Sequence, residues 1–168
     1  SLAGSNVTGV ILLSALSVSV LGLSVPVTAS YILSAVTIAP ALIQVGVNEL
    51  AAHMFIFYYA VLSEVSPPTA LSPMAAATLC HGDPYRTMMA ALRYTLPAFL
   101  VPLAFTLRAD GMGLLLQGSW TTVATAVIAN AAIVVSGVAA VSGHLVRPLS
   151  LKTRAGFATL LLLLLFAP

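Results

Sequence analysis

The sequence predicts an all-α polytopic membrane protein built on a re-entrant helical hairpin and a transmembrane helix broken by proline. Three observations carry that reading. The 168-residue chain is 60% hydrophobic and 6% charged, with a mean hydropathy of +1.10, whereas a soluble domain carries about 25% charged residues. The first two apolar runs are shorter than the ~20 residues a spanning helix needs. The run 51–77 places Ser63, Glu64, Ser66 and the tandem Pro67-Pro68 in the middle of an otherwise membrane-compatible stretch.

The first run, 8–21, has 14 residues, and the second, 27–45, has 19 and contains Pro40. Runs of 10–14 residues suit re-entrant or core segments better than spans. Ser14, Ser17, Ser19, Ser30, Ser34 and Thr37 give both runs more hydroxyls than a lipid-facing helix favours. The two therefore read as arms of a hairpin over about 8–45, its tip at Gly22, Leu23, Ser24, Val25 and Pro26. Two short spans joined by a Gly/Pro turn are the alternative; the lack of charge at that turn favours the hairpin.

The broken helix is expected over about 49–79. Two adjacent prolines remove two N–H donors and push the preceding residue out of the α region. Beside a Ser-Glu-x-Ser run they should unwind the helix, and unwound backbone at membrane depth survives only where protein or a cavity lines it. Ser66 as N-cap with Pro67 at the first helical position would restart the second half. Asp83 and Pro84 repeat that device for a helix over about 84–107, with Arg86 and Arg93 on one face snorkelling to the interface and kinks at Pro97 and Pro102. Residues 108–118 read as a loop, after which Ser119 caps a span from 120 to about 146. Asn130, mid-span, suits an interhelical hydrogen bond, and Ala139 with Gly143 a close small-xxx-small contact.

The domain reading follows: 1–107 as a core of hairpin, broken helix and following helix, and 108–168 as accessory transmembrane helices. The chain opens on Ser1 without an initiator Met or signal peptide. Its last stretch, 155–168, would rise only ~21 Å against a hydrocarbon core of about 30 Å. A piece of a longer polypeptide with a truncated last span is expected. Arg86 and Arg93, and then Arg147, Lys152 and Arg154, are separated by two spans and so face one side, the cytoplasmic one by the positive-inside rule. The loops 44–49 and 108–118 then face outward.

Charge and motif content exclude other classes. The net charge of +2 is spread in short basic clusters between apolar segments, so no nucleic-acid partner is expected. Cys80 is the single cysteine, which excludes a disulfide framework, and it reads as an inert residue at a helix end. His53 and Glu64 share a helix face but lie ~16 Å apart along it, too far for a metal pair or proton-transfer dyad. No catalytic motif is visible, so no enzyme is expected.

The strongest constellation is Ser63, Glu64, Ser66 and Thr69 with Pro67 and Pro68. Hydroxyls are hard oxygen ligands and prolines free carbonyls, which together suit Na⁺, with Ser66 and Thr69 as the metal ligands; an intramembrane Glu points to function by default. A structural kink, with Glu64 paired to an arginine or solvated, is the competing reading. The second constellation is the tip, Gly22 to Thr28. Gly22 permits unusual φ, and the half-helix beginning at Val27 and Thr28 could offer free N–H groups to a carboxylate.

The chain resembles the large membrane permease of tripartite ATP-independent periplasmic (TRAP) transporters, in the C-terminal half of the fused type that works with TAXI-class binding proteins. The resemblance rests on Leu21-Gly22-Leu23-Ser24-Val25-Pro26, Thr28-Ala29-Ser30-Tyr31, Ala39-Pro40-Ala41-Leu42 and Ala51-Ala52-His53-Met54-Phe55. It continues through Tyr58, Ser63-Glu64-Val65-Ser66-Pro67-Pro68, Asp83-Pro84 and Pro102-Leu103-Ala104-Phe105, and covers about 15–107. It implies one of two inverted repeats of an elevator-type Na⁺ symporter, in which Gly22, Ser24, Pro26, Thr28 and Ser63 to Thr69 form half of an ion and substrate site. Na⁺ would be the coupling ion and no other cofactor is implied. The implied substrate is a small organic acid delivered by a periplasmic substrate-binding protein. The implied partners are the first permease repeat, a small membrane subunit or fused segment, and membrane lipid, in a bacterial or archaeal cytoplasmic (inner) membrane. Two positions depart from the family pattern: Ser66 replaces Thr but keeps the hydroxyl, and Ser24 stands where Gly is usual. A non-transporting membrane scaffold is the rival reading.

Overall fold

The computed structural model describes residues 6–67, 70–108, 110–145 and 147–166. The chain divides into two compact units, 1–95 and 96–168. The described residues are helical apart from short connections.

The first unit is organised on one helix. Helix α1 spans Val7–Gly22, capped by Asn6, whose Oδ1 accepts the Gly9 N–H at 3.3 Å. A short turn leads into α2, Val27–Thr37. Pro40 cannot donate to the carbonyl four residues back. The chain therefore breaks at Ile38 and restarts as α3, Ala39–Gln44. The second arm is thus two helices rather than one. Gly46, at φ 95°, and Asn48 then turn the chain into α4, Glu49–Ser63, where the Asn48 Oδ1 accepts the Leu50 N–H at 2.9 Å. Helices α1, α2 and α3 all pack on α4. Together they bury Ile11, Val18, Leu42, Phe55 and Ile56 completely. Burying each such side chain contributes about 1.5–3 kcal/mol.

Helices α5, Leu71–Leu79, and α6, Pro84–Thr95, pack against each other. Helix α6 starts as the sequence predicts: the Asp83 Oδ1 accepts the Arg86 N–H at 2.8 Å, with Pro84 at the first helical position. Helix α5 does not. Its N-cap is Ala70, at φ 29°, and the Ser66 hydroxyl is turned back to donate to the Leu62 carbonyl at 3.0 Å. Ser66 is therefore the end of the first half of the break and not the start of the second.

In the second unit a tight 3-10 turn, Leu96–Phe99, carries Pro97 and leads into α7, Leu100–Leu107, with Pro102 buried. The stretch read as a loop contains a second 3-10 turn, Gly111–Leu115, pressed against α7 and the next helix. A Cβ on Gly113 would lie 2.6 Å from the Thr122 carbonyl oxygen, so only glycine allows that approach. Helix α8, Trp120–Ser142, begins at Ser119, whose Oγ accepts the Thr122 N–H at 3.3 Å. It stops at Gly143, which is left-handed at φ 69°. Gly143 terminates the helix instead of extending the small-residue face from Ala139. Asn130, expected to bond across helices, keeps a buried Oδ1 with no partner among the described residues.

Helix α9, Leu151–Phe166, folds back along α8. Arginines clamp both ends of this pair. Arg154 donates from Nε and Nη2 to the Ala140 carbonyl at 3.0 and 2.9 Å, near the α8 C-terminus. Arg108 pairs with Asp110 at 2.9 and 3.0 Å and donates to the Leu164 carbonyl at 2.6 Å. Two stretches, 84–107 and Trp120–Ser142, are long and apolar enough to cross a membrane.

Candidate functional site at the hairpin tip

The fold brings the end of α1 onto the end of α4. Gly22, the last residue of α1, is buried against Ser63, the last residue of α4. A Cβ built on Gly22 would overlap the Ser63 hydroxyl, lie 2.7 Å from the Ser63 Cβ, and sit 3.4 Å from the Ser30 Oγ of α2. Gly22 is helical, and among the described residues the positive-φ glycines are Gly46, Gly118 and Gly143. The sequence-based reason for this glycine is thereby corrected: the position needs space, not an unusual φ.

Beyond Gly22 the tip is held by backbone. The Ser24 N–H donates to the Leu21 carbonyl at 3.0 Å, and Pro26 serves as N-cap of α2 with no side-chain cap bond. The first turn of α2 therefore holds N–H groups that no cap side chain covers. Ser24, Pro26 and Thr28 are exposed there.

At the break, α4 tightens before it ends. The N–H groups of Glu64, Val65 and Ser66 donate to the carbonyls of Val61, Leu62 and Ser63 at 3.2, 3.3 and 3.0 Å. Those three carbonyls are thus occupied. The Glu64 carbonyl would be paired in a helix by residue 68, a proline with no N–H. The Ser63 Oγ donates to the Ala60 carbonyl at 2.6 Å. A donating hydroxyl still presents acceptor lone pairs, as does that of Ser66. The Glu64 carboxylate has no ion-pair or hydrogen-bond partner among the described residues, so the expected alternative of an arginine partner is not seen there. Pro67 is half-buried, and Pro68 and Thr69 lie outside the described residues.

Two features of this region were not legible as site features in the sequence. Ser30 and Ser34 are fully buried in α2, and their hydroxyls have no hydrogen-bond partner among the described residues. Their spacing of four along α2 was the available signal, but only packing tells which face it meets. His53, too far from Glu64 along the helix to pair with it, has a partner on the hairpin: its Nδ1 lies 3.1 Å from the Tyr31 hydroxyl, and Tyr31 also meets Phe57 edge-on at 6.3 Å.

A family model matches this arrangement of residues. The model described as the tripartite ATP-independent periplasmic transporter, DctM component, matches residues 1–110. The chain belongs to the DctM family. The match covers the whole hairpin, α4, the break, α5 and α6, and the α7 helix as far as its end. Comparison with curated proteins and with solved structures gives no match. As a DctM-family chain it is a membrane protein of transporter-permease type, and the hairpin tip on the broken helix is the feature of its structure that groups hydroxyls, open N–H groups and an unpaired carboxylate.

Proposed function

We propose that this DctM-family chain contributes one hairpin and one broken helix to a Na⁺-coupled TRAP permease that imports a small organic acid delivered by a periplasmic binding protein. In this reading it is the C-terminal half of the fused type that works with TAXI-class binding proteins, one of two inverted repeats of an elevator-type fold. It sits as a multi-pass protein in a bacterial or archaeal inner membrane. The observation that carries the reading is the seating of Gly22 on Ser63, which joins the two broken elements at one point. Irregular backbone of that kind is where transporters bind ions and solutes. The uncapped first turn of α2 supports a carboxylate at Thr28, because helix N-termini favour anions by about 0.3–1 kcal/mol. The hydroxyls of Ser63 and Ser66, with the Glu64 carbonyl that Pro68 leaves without a helical donor, support a hard monovalent cation beside it; Thr69 completes the proposed set.

Uptake by the reconstituted full-length permease, measured against Na⁺ concentration, tests this assignment. Pro67→Ala with Pro68→Ala removes two barriers of ~3 kcal/mol each to helix continuity. That pair should abolish transport while the protein still inserts. Ser66→Ala should raise the Na⁺ concentration for half-maximal uptake, and Ser66→Thr should be nearly silent. An unchanged Na⁺ curve in Ser66→Ala would take Ser66 out of the ion site. Proline changes that lower expression, together with an unchanged Na⁺ dependence in Ser66→Ala, would favour the structural-kink reading.

A further inference from the structure

We propose that Tyr31 and His53 are positioning residues that set where the second hairpin arm, α2, lies on α4. Helix α2 has little apolar surface with which to hold itself there. Its buried residues are Ser30 and Ser34, while Ile32, Leu33 and Val36 are exposed. Helix α1, by contrast, buries Ile11, Ala15 and Val18. Hydroxyls gain nothing from leaving water unless they are bonded, and those of Ser30 and Ser34 have no hydrogen-bond partner among the described residues. The apolar burial that anchors α1 therefore does not anchor α2.

Tyr31 supplies an attachment of another kind. Its hydroxyl lies 3.1 Å from the His53 Nδ1 on α4. That hydroxyl donates when Nδ1 is bare and accepts when Nδ1 carries the proton, so the pair bonds in either tautomer. The Tyr31 ring also lies tilted on the His53 ring at 6.2 Å and meets Phe57 edge-on at 6.3 Å. Those are separations and angles at which aromatic rings attract.

The placement of the pair matters as much as its strength. Ser30 faces the contact of Gly22 with Ser63. Its neighbour Tyr31 reaches back to His53, which lies ~15 Å before Ser63 along the α4 axis. A helix held at one point can pivot, whereas two points that far apart fix its direction. One turn ahead of Tyr31 is the start of α2, whose N–H groups no cap side chain covers. Under the function proposed above, on which this step alone rests, the pair aims those N–H groups at the solute carboxylate.

The test places spin labels on Ile32→Cys and Val61→Cys, both exposed positions, in the full-length permease with its native cysteines replaced by serine. Pulsed electron paramagnetic resonance in lipid nanodiscs then reads the distance between α2 and α4. Otherwise unaltered, the permease should give one dominant distance. Tyr31→Phe keeps the ring and deletes the hydroxyl. It should raise the ratio of displaced to seated α2 roughly threefold to tenfold, the effect of one hydrogen bond. His53→Leu should do the same, and combining it with Tyr31→Phe should add nothing further. His53→Asn keeps a donor and an acceptor near the place of Nδ1 and should hold the dominant distance. Thr37→Val deletes an α2 hydroxyl that bonds within the helix, to the Leu33 carbonyl at 2.7 Å, and should change nothing. An unmoved distance in Tyr31→Phe, an equal shift in Thr37→Val, or no rescue by His53→Asn overturns the proposal. Acetate serves as the carboxylate probe. It should raise the Tm of the permease, with a half-effect concentration that Tyr31→Phe increases by the same factor and Thr37→Val leaves alone. Acetate without effect on the unaltered permease removes the carboxylate reading of the α2 first turn, while the distances still decide whether Tyr31 and His53 position the arm.

Discussion

At Gly22 the missing side chain is what lets the hairpin close on α4. Gly22→Ala should destabilise the first unit by about 1–3 kcal/mol, the usual range for overpacking a close contact. The partner side chain decides how much can be recovered. Ser63→Ala in the same chain should restore little, because the Ser63 Cβ itself lies 2.7 Å from the new methyl position. Ser63→Gly should restore most of the loss, less the ~1 kcal/mol that glycine costs in a helix. Thermal unfolding of the three variants in detergent distinguishes these outcomes. Equal stability of Gly22→Ala and the unaltered chain would mean the tip does not sit on α4. The sequence marked Gly22 and Ser63 as separate candidates. It could not pair them, because a contact between residues 22 and 63 depends on how α1 packs along α4 and not on local preference.

Among the elements, the α8–α9 pair depends on arginine at both ends. Arg154 covers carbonyls that the end of α8 leaves open, and a hydrogen bond to a charged group contributes roughly 1.5–3 kcal/mol. Arg154→Met keeps much of the apolar stem and removes the donors. It should therefore lower stability by an amount in that range, measurable as a fall in Tm. A Tm unchanged by Arg154→Met would exclude the capping role. In the sequence Arg154 was legible only as one member of a basic cluster that fixes sidedness. The capping role requires the turn at Gly143, which brings the arginine back over the helix it follows. The 3-10 turn Gly111–Leu115 was missed for a related reason: its two close-approach glycines read as loop residues until the helices they approach are present, α7 for Gly111 and α8 for Gly113.

For the whole molecule, sidedness is the property that the charge pattern predicts and that labelling can check. Gly111 is a poor probe because it is buried and its Cβ would lie 2.7 Å from the Phe105 Cα. Asn48 and Gln117 are exposed, as is Thr153. With the exposed native Cys80 replaced by serine, cysteines at 48 and 117 should react with an impermeant thiol reagent added outside intact cells. A cysteine at 153 should react only after permeabilisation. The opposite pattern would reverse the orientation read from Arg86, Arg93, Arg147, Lys152 and Arg154.

The sequence by itself determined the membrane class, the starts of α6 and α8, and the existence of a break after Ser63. These rest on local chemistry: hydropathy, a side-chain oxygen that caps the next turn, and prolines that carry no N–H. Only the tertiary structure decided that Gly22 meets Ser63, that Ser30 and Ser34 are buried without hydrogen-bond partners among the described residues, and that Ser66 closes the first half of the break. Each of those depends on which helix faces which, and that is set by apolar packing between residues far apart in the chain.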